Sequence, residues 1–259
     1  MKKPKVIAII PARYASTRLH AKALIDLCGK PMIQHVYERT RQAALIDRVI
    51  VATDHEMIVE AVRHFGGEVI MTPAELKSGS DRIAFAAKSL DDADIVVNVQ
   101  GDEPLIEPQM IDQAVIPLIH DPGSKVNVGT VVKRIRASEE LWNPNIVKAI
   151  LDAEGNVIYF SRSVIPFLRD NIEKNSWHLH HAYYKHFGLY VYRKEFLLRF
   201  SAWNEASLER VEKLEQLRII ENGYRIKTVV TEFDTIPVDT AEDADRVRKV
   251  LEQEKVGNS

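Results

Sequence analysis

The stretch VIVATDHEMIVEAVRHFGGEVIM (Val49–Met71) contains the pattern that decides the fold. A short β-branched run, Val49–Ala52, is followed by Glu56–Phe65, whose apolar residues recur near the helical period, and then by a second short run, Val69–Met71. A pair of glycines stands where the helix would end. Strand, helix and strand in this order predict two parallel strands joined by a crossover helix.

The same alternation extends along the rest of the chain. The further predicted strands are Val6–Ile10, Ile95–Val99, Asn127–Lys133, Tyr184–Tyr192 and Ile226–Val230. The further predicted helices are Ile33–Ala44, Ser80–Leu90, Glu107–Ile119, Lys194–Phe200, Leu208–Glu221 and Ala241–Glu254. We therefore expect an α/β fold with a mostly parallel central sheet.

From about residue 144 the pattern becomes antiparallel. Ile146–Leu151 and Val157–Phe160 flank Asp152–Gly155, a four-residue turn that ends in glycine, as expected of a hairpin. The polar stretch Arg169–His181 is predicted to be a loop. We expect a single domain of residues 1–259 with a smaller antiparallel region at about residues 144–205.

Composition excludes several classes of partner. The 259 residues are 46% apolar and carry 35 basic and 37 acidic side chains, so no overall charge draws the chain to nucleic acid or to an anionic membrane. The apolar run near the N-terminus is too short for a signal peptide or a membrane span, which predicts a cytoplasmic location. The lone Cys28 cannot form an intrachain disulfide.

The loop after the first predicted strand is locally basic. Residues 1–25 contain six Lys or Arg residues and no acidic one, and Arg13, Arg18 and Lys22 lie in this loop with the hydroxyl of Ser16. Ligands of open α/β sheets bind beyond the carboxyl ends of the strands, so a polyphosphate is the expected ligand. The loop matches neither a Walker motif nor a dinucleotide fingerprint. A solvated basic loop is the alternative.

Two aspartates that are far apart in the sequence each lie at a predicted strand-to-helix junction. Asp102 follows Gly101 at the end of a buried strand, and Asp239 precedes Thr240 and Asp243, which resemble a capping box at the start of the last helix. Turn formation at Asp102 and helix-start chemistry at Asp239 are the structural alternatives. Because magnesium is held by one or two carboxylates plus substrate phosphates, the pair also suits a partial Mg²⁺ site.

Eight motifs in this order resemble one enzyme family. They are IIPARYASTRL with Lys22, VIVATDH, SGSDR, VNVQGDEP, NPNIVKAILDAEGNVIYFSR, KHFGLYVYR, LEQLRIIENG and VDTAED. Over nearly the whole chain this pattern resembles the 3-deoxy-manno-octulosonate cytidylyltransferases, also called CMP-Kdo synthetases. The resemblance implies a three-layer nucleotide-diphospho-sugar transferase-like fold, a homodimer, and Mg²⁺-dependent transfer of CMP from CTP to the anomeric hydroxyl of Kdo for lipopolysaccharide synthesis.

The resemblance also implies roles for individual residues. Those expected to contact the CTP phosphates are Arg13, Ser16, Arg18 and Lys22. Those expected around cytosine are Ala12, Ser78 and Gly79. Those expected around the sugar acid are Arg82, Gln100, Arg162, His186, Tyr190 and Glu215. Asp102 and Asp239 are the expected magnesium ligands, and with Arg13 and Lys22 they form the expected catalytic set.

Three departures from the family pattern leave the acceptor open. His20–Ala21 replace Pro-Gly in the phosphate loop, which removes easy access to positive φ. Thr235–Pro237 replace G-x-G before Asp239, and SGSDR replaces the commoner S-G-T. The alternative acceptors are 8-amino-8-deoxy-Kdo and sialic acid. A sugar-1-phosphate nucleotidyltransferase and a non-catalytic nucleotide sensor are the further alternatives.

Overall fold

The computed structural model describes residues 3–15, 19–121, 123, 125–169 and 172–257. The chain divides into two compact units. Unit 1 is assembled from Met1–Asp112, Tyr192–Ser201 and Asp234–Ser259, and unit 2 from Gln113–Val191 and Ala202–Phe233. These boundaries differ from the predicted antiparallel region, and the single domain of the sequence analysis stays a prediction.

The strands are numbered in chain order. They are β1 Val6–Ala12, β2 Asp26–Leu27, β3 Lys30–Pro31, β4 Arg48–Thr53, β5 Glu68–Met71, β6 Ile95–Asn98, β7 Val128–Arg134, β8 Lys148–Leu151, β9 Val157–Ser161, β10 Tyr184–Arg193 and β11 Ile226–Val230. The β-branched runs that predicted strands all form strands, with ends that differ by at most two residues from the expected ones.

The helices are numbered in the same way. They are α1 Met32–Arg41, α2 Glu56–His64, α3 Gly79–Lys88, α4 Pro108–Ile119, α5 Ser138–Trp142, α6 Trp177–His180, α7 Lys194–Ser201, α8 Ser207–Glu212, α9 Leu217–Glu221 and α10 Ala241–Gly257. Short 3-10 turns occur at Lys22–Leu24 and Lys174–Ser176.

Unit 1 is built on a parallel sheet in the order β6-β1-β4-β5. The residues of β1 from Val6 to Ile10 are 0% exposed, as expected for a parallel strand covered on both faces. Because the four strands run in the same direction, their carboxyl ends lie along one edge. The segments that follow β1, β4 and β6 therefore all begin at that edge, which confirms the predicted mostly parallel α/β fold.

The last helix of unit 1 is fixed by a small buried cluster. Ala244, Val247 and Leu251 of α10 recur every three or four residues, so they share one face of the helix. This face packs with Leu105 and Val238, which are also buried. Burial of each Val or Leu side chain contributes about 1.5–3 kcal/mol. The cluster therefore anchors both the segment after β6 and the segment before α10.

Unit 2 combines parallel and antiparallel pairing. Its strands follow the order β11-β7-β10, with β8 paired to β10 and β9 paired to β8. β7 and β11 are parallel, whereas β8 is antiparallel to both β9 and β10. The β8–β9 turn is closed by Asp152, whose Oδ1 accepts backbone hydrogen bonds from Glu154 at 2.9 Å and Asn156 at 2.8 Å. The predicted hairpin is confirmed.

Two predicted elements of unit 2 are wrong in detail. The predicted helix Leu208–Glu221 is two helices, because Lys213 adopts a left-handed conformation with φ of 54° that ends α8. The predicted loop Arg169–His181 contains the short helix α6, because the buried Trp177 packs into an apolar cluster that includes Leu141. The polar composition of residues 169–181 gave no indication that Trp177 would be buried.

Among the described residues, no helix has both the length and the apolar character needed to span a membrane.

Candidate functional site

Lys22 joins the two aspartates that the sequence singled out. Its Nζ donates to Asp102 Oδ2 at 2.7 Å and to Asp239 Oδ1 at 2.8 Å. The Lys22 side chain is 14% exposed, and the two aspartate side chains are 34% and 36% exposed. Burial lowers the pKa of Lys22, but the two carboxylates outweigh this effect and hold the pKa above its ordinary value. Unit 1 thus brings three of the predicted catalytic residues into direct contact.

A close backbone approach places Asp102 beside the loop that follows β1. The Cβ of any other residue at Gly101 would lie 2.7 Å from the Pro11 carbonyl oxygen, so only glycine fits there without a shift. Val99 donates from its backbone to the Ile9 carbonyl at 3.3 Å, which continues the contact between β6 and β1 beyond the end of β6. Turn formation alone therefore does not account for Asp102, because its carboxylate also accepts a hydrogen bond from Lys22.

Asp239 is separate from the helix cap that follows it. Thr240 and Asp243 form the predicted capping pair, with Asp243 N donating to Thr240 Oγ1 at 3.2 Å and Thr240 N donating to Asp243 Oδ2 at 3.1 Å. The backbone N–H of Asp239 also donates to Asp243 Oδ2, at 3.2 Å. The carboxylate of Asp243 therefore caps the helix, whereas that of Asp239 accepts from Lys22.

The loop after β1 packs against the segment that starts α3. Arg13 Nη2 donates to the Leu76 carbonyl at 2.6 Å, and a Cβ at Gly79 would lie 3.5 Å from the Pro11 ring. The Ser78 hydroxyl accepts from Asp81 N at 3.0 Å and so caps α3. The segments around Ala12 and around Ser78–Gly79, which were predicted to surround cytosine, are therefore neighbours. The Ser78 hydroxyl itself accepts the capping hydrogen bond of α3.

The loop after β1 and the segment after β6 border a cavity of about 330 Å³. Its walls are Pro11, Ala12, Arg13, Ala15, Lys22, Ala23, Met32, Gln100, Gly101, Asp102 and Asp239. A volume of this size lies in the range of small-molecule sites. The cavity thus collects most of the nucleotide-binding and catalytic residues that were predicted within unit 1, while Ser16 and Arg18 lie outside the described residues.

Ala21 adopts a left-handed backbone conformation, which glycine adopts more easily than alanine. Its φ of 48° and ψ of 38° are left-handed, although replacing glycine by alanine makes positive φ less accessible. A left-handed conformation of an L-residue other than glycine costs about 1–2 kcal/mol. His20 lies edge-on to Tyr14 with ring centroids 5.2 Å apart, and Tyr14 stacks on His55 at 3.7 Å.

Arg82 lies beneath the loop rather than at its surface. Its side chain is 0% exposed, and its Nη2 donates to Asp54 Oδ2 at 2.9 Å. Asp54 Oδ1 accepts from the backbone of Tyr14 at 3.1 Å, and Arg82 Nη1 also bonds to Thr72 Oγ1. These bonds link Arg82, through Asp54, to the backbone of the loop that follows β1. Its predicted contact with the sugar stays a prediction, as does that of Gln100, whose Nε2 donates to Asn98 at 3.3 Å.

Unit 2 contains the other four residues predicted to contact the sugar. His186 Nε2 lies 3.1 Å from Thr130 Oγ1, and the His186 and Tyr190 rings are 5.2 Å apart. Burial lowers the pKa of His186 to about 3, so its imidazole is neutral at physiological pH. Arg162 Nε donates to the Glu212 carbonyl at 2.9 Å. Glu215 Oε1 lies 3.8 Å from Arg218 Nη2. Their sugar contacts stay predictions.

Sequence reasoning missed three residues that support the site. Asp54 directly follows β4. Asp102 was selected because it is an acidic residue at the end of a strand, and the same criterion would have selected Asp54. Glu103 accepts from Thr235 Oγ1 at 2.6 Å, and burial raises the pKa of Glu103 to about 8 although this hydrogen bond opposes the shift. No local pattern marks the pairing of Glu103 with Thr235, because it depends on how two distant segments pack.

The donor set of unit 1 fits a hard divalent cation. Asp102 and Asp239 approach one ammonium nitrogen, so their oxygens face a common point that already accommodates a positive charge. Across the described ranges, no group of three or more His, Cys, Asp or Glu side chains is arranged to hold a metal ion. A site with two carboxylates takes its remaining ligands from substrate phosphates and water, which is the usual arrangement for Mg²⁺.

Comparison with known proteins identifies the family of the chain. Residues 7–228 match the family model described as "Cytidylyltransferase". The 3-deoxy-manno-octulosonate cytidylyltransferases of Geobacter metallireducens and Geobacter sulfurreducens are 52% and 50% identical to the chain, and each alignment covers 95% of the chain and at least 98% of the relative.

Solved structures extend the comparison. A CMP:2-keto-3-deoxy-manno-octonic acid synthetase complexed with CTP has a TM-score of 0.89 and 39% identity, over 96% of this chain and 99% of that one. A 4-diphosphocytidyl-2C-methyl-D-erythritol synthase from Anaerococcus prevotii, with a TM-score of 0.63 over 97% of this chain and all of that one, is only 14% identical and shows the fold alone. The chain belongs to the cytidylyltransferase family and, within it, to the 3-deoxy-manno-octulosonate cytidylyltransferases.

Proposed function

We propose that this protein transfers CMP from CTP to the anomeric hydroxyl of Kdo, releasing pyrophosphate, with Mg²⁺ as its cofactor. The observation that carries the proposal is the convergence of Lys22, Asp102 and Asp239 at a cavity beside the loop after β1. Relatives named for the Kdo reaction, and a similar synthetase complexed with CTP, support the choice of nucleotide and acceptor.

The nucleotide would lie in the cavity of unit 1. CTP carries about four negative charges near neutral pH, and Arg13 and Lys22 line the cavity as cations. Arg18 and the hydroxyl of Ser16 are proposed to complete the phosphate contacts. Cytosine is proposed to be read by the backbone near Ala12 and the Ser78–Gly79 segment, because these two segments are neighbours.

The chemistry requires positioning and charge neutralisation rather than a protein nucleophile. The sugar hydroxyl attacks the α-phosphorus, and the bond from that phosphorus to the oxygen bridging to the β-phosphate breaks. Asp102 and Asp239 are the proposed carboxylate ligands of the cation, and Lys22 the proposed phosphate contact. When bound, Mg²⁺ would neutralise charge on the α-phosphate and make the attacking hydroxyl more acidic. Together these groups stabilise the charge that develops in the transition state.

The residues proposed to recognise the acceptor, on the strength of the resemblance, are Arg82, Gln100, Arg162, His186, Tyr190 and Glu215. His186 would act as a neutral hydrogen-bonding group, since its imidazole is uncharged at physiological pH. A buried polar group left unpaired by a wrong sugar costs about 1–3 kcal/mol, so several such groups can select one acid.

The protein is proposed to act as a cytoplasmic homodimer that supplies lipopolysaccharide synthesis. Unit 2 exposes several large apolar side chains, among them Phe167 at 72% and Leu179 at 70% exposure. Phe167 lies edge-on to Trp177 with centroids 5.1 Å apart, in a depression also lined by Trp142. An exposed apolar surface of this kind commonly marks a protein interface. Light scattering should give twice the chain mass, and Phe167→Glu should reduce it.

An acceptor panel tests the proposed reaction. Pyrophosphate release from CTP and Mg²⁺ would be followed with Kdo, 8-amino-8-deoxy-Kdo and sialic acid, and the CTP arm repeated with ATP, GTP and UTP. We expect the highest kcat/KM with CTP and Kdo. Turnover with sialic acid and none with Kdo would overturn the proposed acceptor, and turnover with UTP in preference to CTP would overturn the proposed nucleotide.

A further inference from the structure

The segment that carries Asp239 has no regular secondary structure of its own. Residues 233–239 form neither helix nor strand, so no hydrogen-bonded ladder sets the position of Asp239. Lys22 bonds to both carboxylates, and hydrogen bonds also join this segment to the one that carries Asp102. Val238 N donates to the Asp102 carbonyl at 2.9 Å, and Thr235 Oγ1 donates to Glu103 Oε2 at 2.6 Å. The distance between the two aspartates therefore depends in part on these two hydrogen bonds.

The Glu103 end of this link is held firmly. Glu103 lies in a turn in which its N–H donates to the Gln100 carbonyl at 3.3 Å and its carbonyl accepts from Ile106 at 3.1 Å. The adjacent Leu105 is buried in the cluster that also contains Val238. Because the backbone on either side of Glu103 is fixed, its carboxyl group offers a stationary acceptor to Thr235.

The Thr235 end is held by the residues that follow it. Ile236 packs against the buried cluster that includes Val238, and the Val238 N–H donates to the Asp102 carbonyl at 2.9 Å. The hydroxyl of Thr235 therefore adds a side-chain link to a segment that a backbone bond already joins to Asp102.

We propose that Thr235 and Glu103 are positioning residues for the divalent cation of the reaction, because their hydrogen bond holds the Asp239 segment against the Asp102 segment. This inference rests on the proposed function, which makes the two aspartates the cation ligands. Residues that orient metal ligands typically contribute about 10–100-fold to metal affinity. Thr235→Val, which keeps the shape and removes the hydroxyl, should therefore weaken cation binding by about that factor.

The experiment measures Mn²⁺ binding directly by electron paramagnetic resonance, with a CTP analogue that cannot be cleaved between its α- and β-phosphates. The proteins are the wild type, Thr235→Val, the matched control Thr235→Ser, and Asp102→Asn. Thermal melting without metal is recorded for each. We expect Thr235→Ser to bind Mn²⁺ within about threefold of the wild type and Thr235→Val to bind it about 10–100-fold more weakly. The Mg²⁺ concentration for half-maximal turnover should rise in the same order, with a smaller change in the KM for CTP.

The outcomes separate this inference from the proposed function. If Asp102→Asn loses Mn²⁺ binding while Thr235→Val binds it as the wild type does, the positioning role alone is overturned. If Asp102→Asn binds Mn²⁺ as the wild type does, the proposed cation site is wrong and this inference fails with it. Should Thr235→Val not fold, Glu103→Leu provides the same test from the other end of the hydrogen bond, and wild-type Mn²⁺ affinity in that variant would overturn the role.

Discussion

Replacing Lys22 by Met tests how the two aspartates are stabilised in the absence of metal. Methionine matches the lysine side chain as far as Cε and lacks the ammonium that contacts Asp102 at 2.7 Å and Asp239 at 2.8 Å. Removing one partner of a fully buried ion pair costs about 3–5 kcal/mol. Here the carboxylates are about one-third exposed, so solvent screening reduces the expected loss to about 1–2 kcal/mol.

The assay is urea unfolding at pH 7 without divalent cations, with Lys30→Met as a matched control. Lys30 pairs with Glu38 at 2.7 Å, but both side chains are at least 40% exposed, so its loss should cost about 0–1 kcal/mol. If Lys22→Met is as stable as the wild type, the ion pairs contribute nothing and the reasoning is refuted.

The pH dependence of the Lys22 effect follows from the direction of its pKa shift. The pKa of Lys22 is raised in the folded protein, so the stability it contributes is fully present below its unfolded pKa of 10.5. That contribution is lost as pH rises through the higher folded pKa. The stability difference between the wild type and Lys22→Met should therefore persist at pH 9 and shrink only above about pH 10.5. A difference that disappears by pH 8 would contradict this assignment.

Two further predictions concern the same site. Asp102→Asn and Asp239→Asn should each lower kcat at least ~100-fold in the pyrophosphate-release assay while leaving a cooperative melting transition, because each removes charge that stabilises the transition state. Near-wild-type turnover in either variant would remove that residue from the catalytic set. Ala21→Gly should change the free energy of unfolding by about 0–1 kcal/mol in the stabilising direction, since relief of left-handed strain slightly exceeds the added entropy of glycine in the unfolded chain. Ala21→Val should destabilise the protein in the same urea titration, and equal stability of both variants would argue against the left-handed conformation.

The alternation of strands and helices predicted the architecture well because it depends only on local periodicity. Val49–Met71 alone indicated a parallel pair, and β4 and β5 form one. The meeting of Asp102 with Lys22 also followed from a general rule, since the carboxyl ends of parallel strands share one edge of the sheet. The position of Asp239 could not be predicted in this way, because no strand carries it. It depends on the packing of α10 and on the bonds that Val238 and Thr235 make to the Asp102 segment.

What could not be predicted depends on contacts between distant segments. The composition near Arg82 gave no sign that its guanidinium would be buried against Asp54, and the resemblance pointed instead to the sugar. Lys213 interrupts a pattern that is helical on both sides, and its backbone conformation leaves no periodic signal. The Thr235 hydroxyl and the Glu103 carboxyl meet only in the folded chain.

The most direct test of the central claim observes the bond that the reaction forms. The enzyme would be incubated with CTP, Mg²⁺ and Kdo labelled with ¹³C at its anomeric carbon, and the mixture followed by ¹³C and ³¹P nuclear magnetic resonance. The proposed reaction predicts a new anomeric ¹³C signal split by coupling to a single phosphorus, appearing together with pyrophosphate. An unchanged Kdo signal while CTP is consumed, or no consumption of CTP at all, would contradict it.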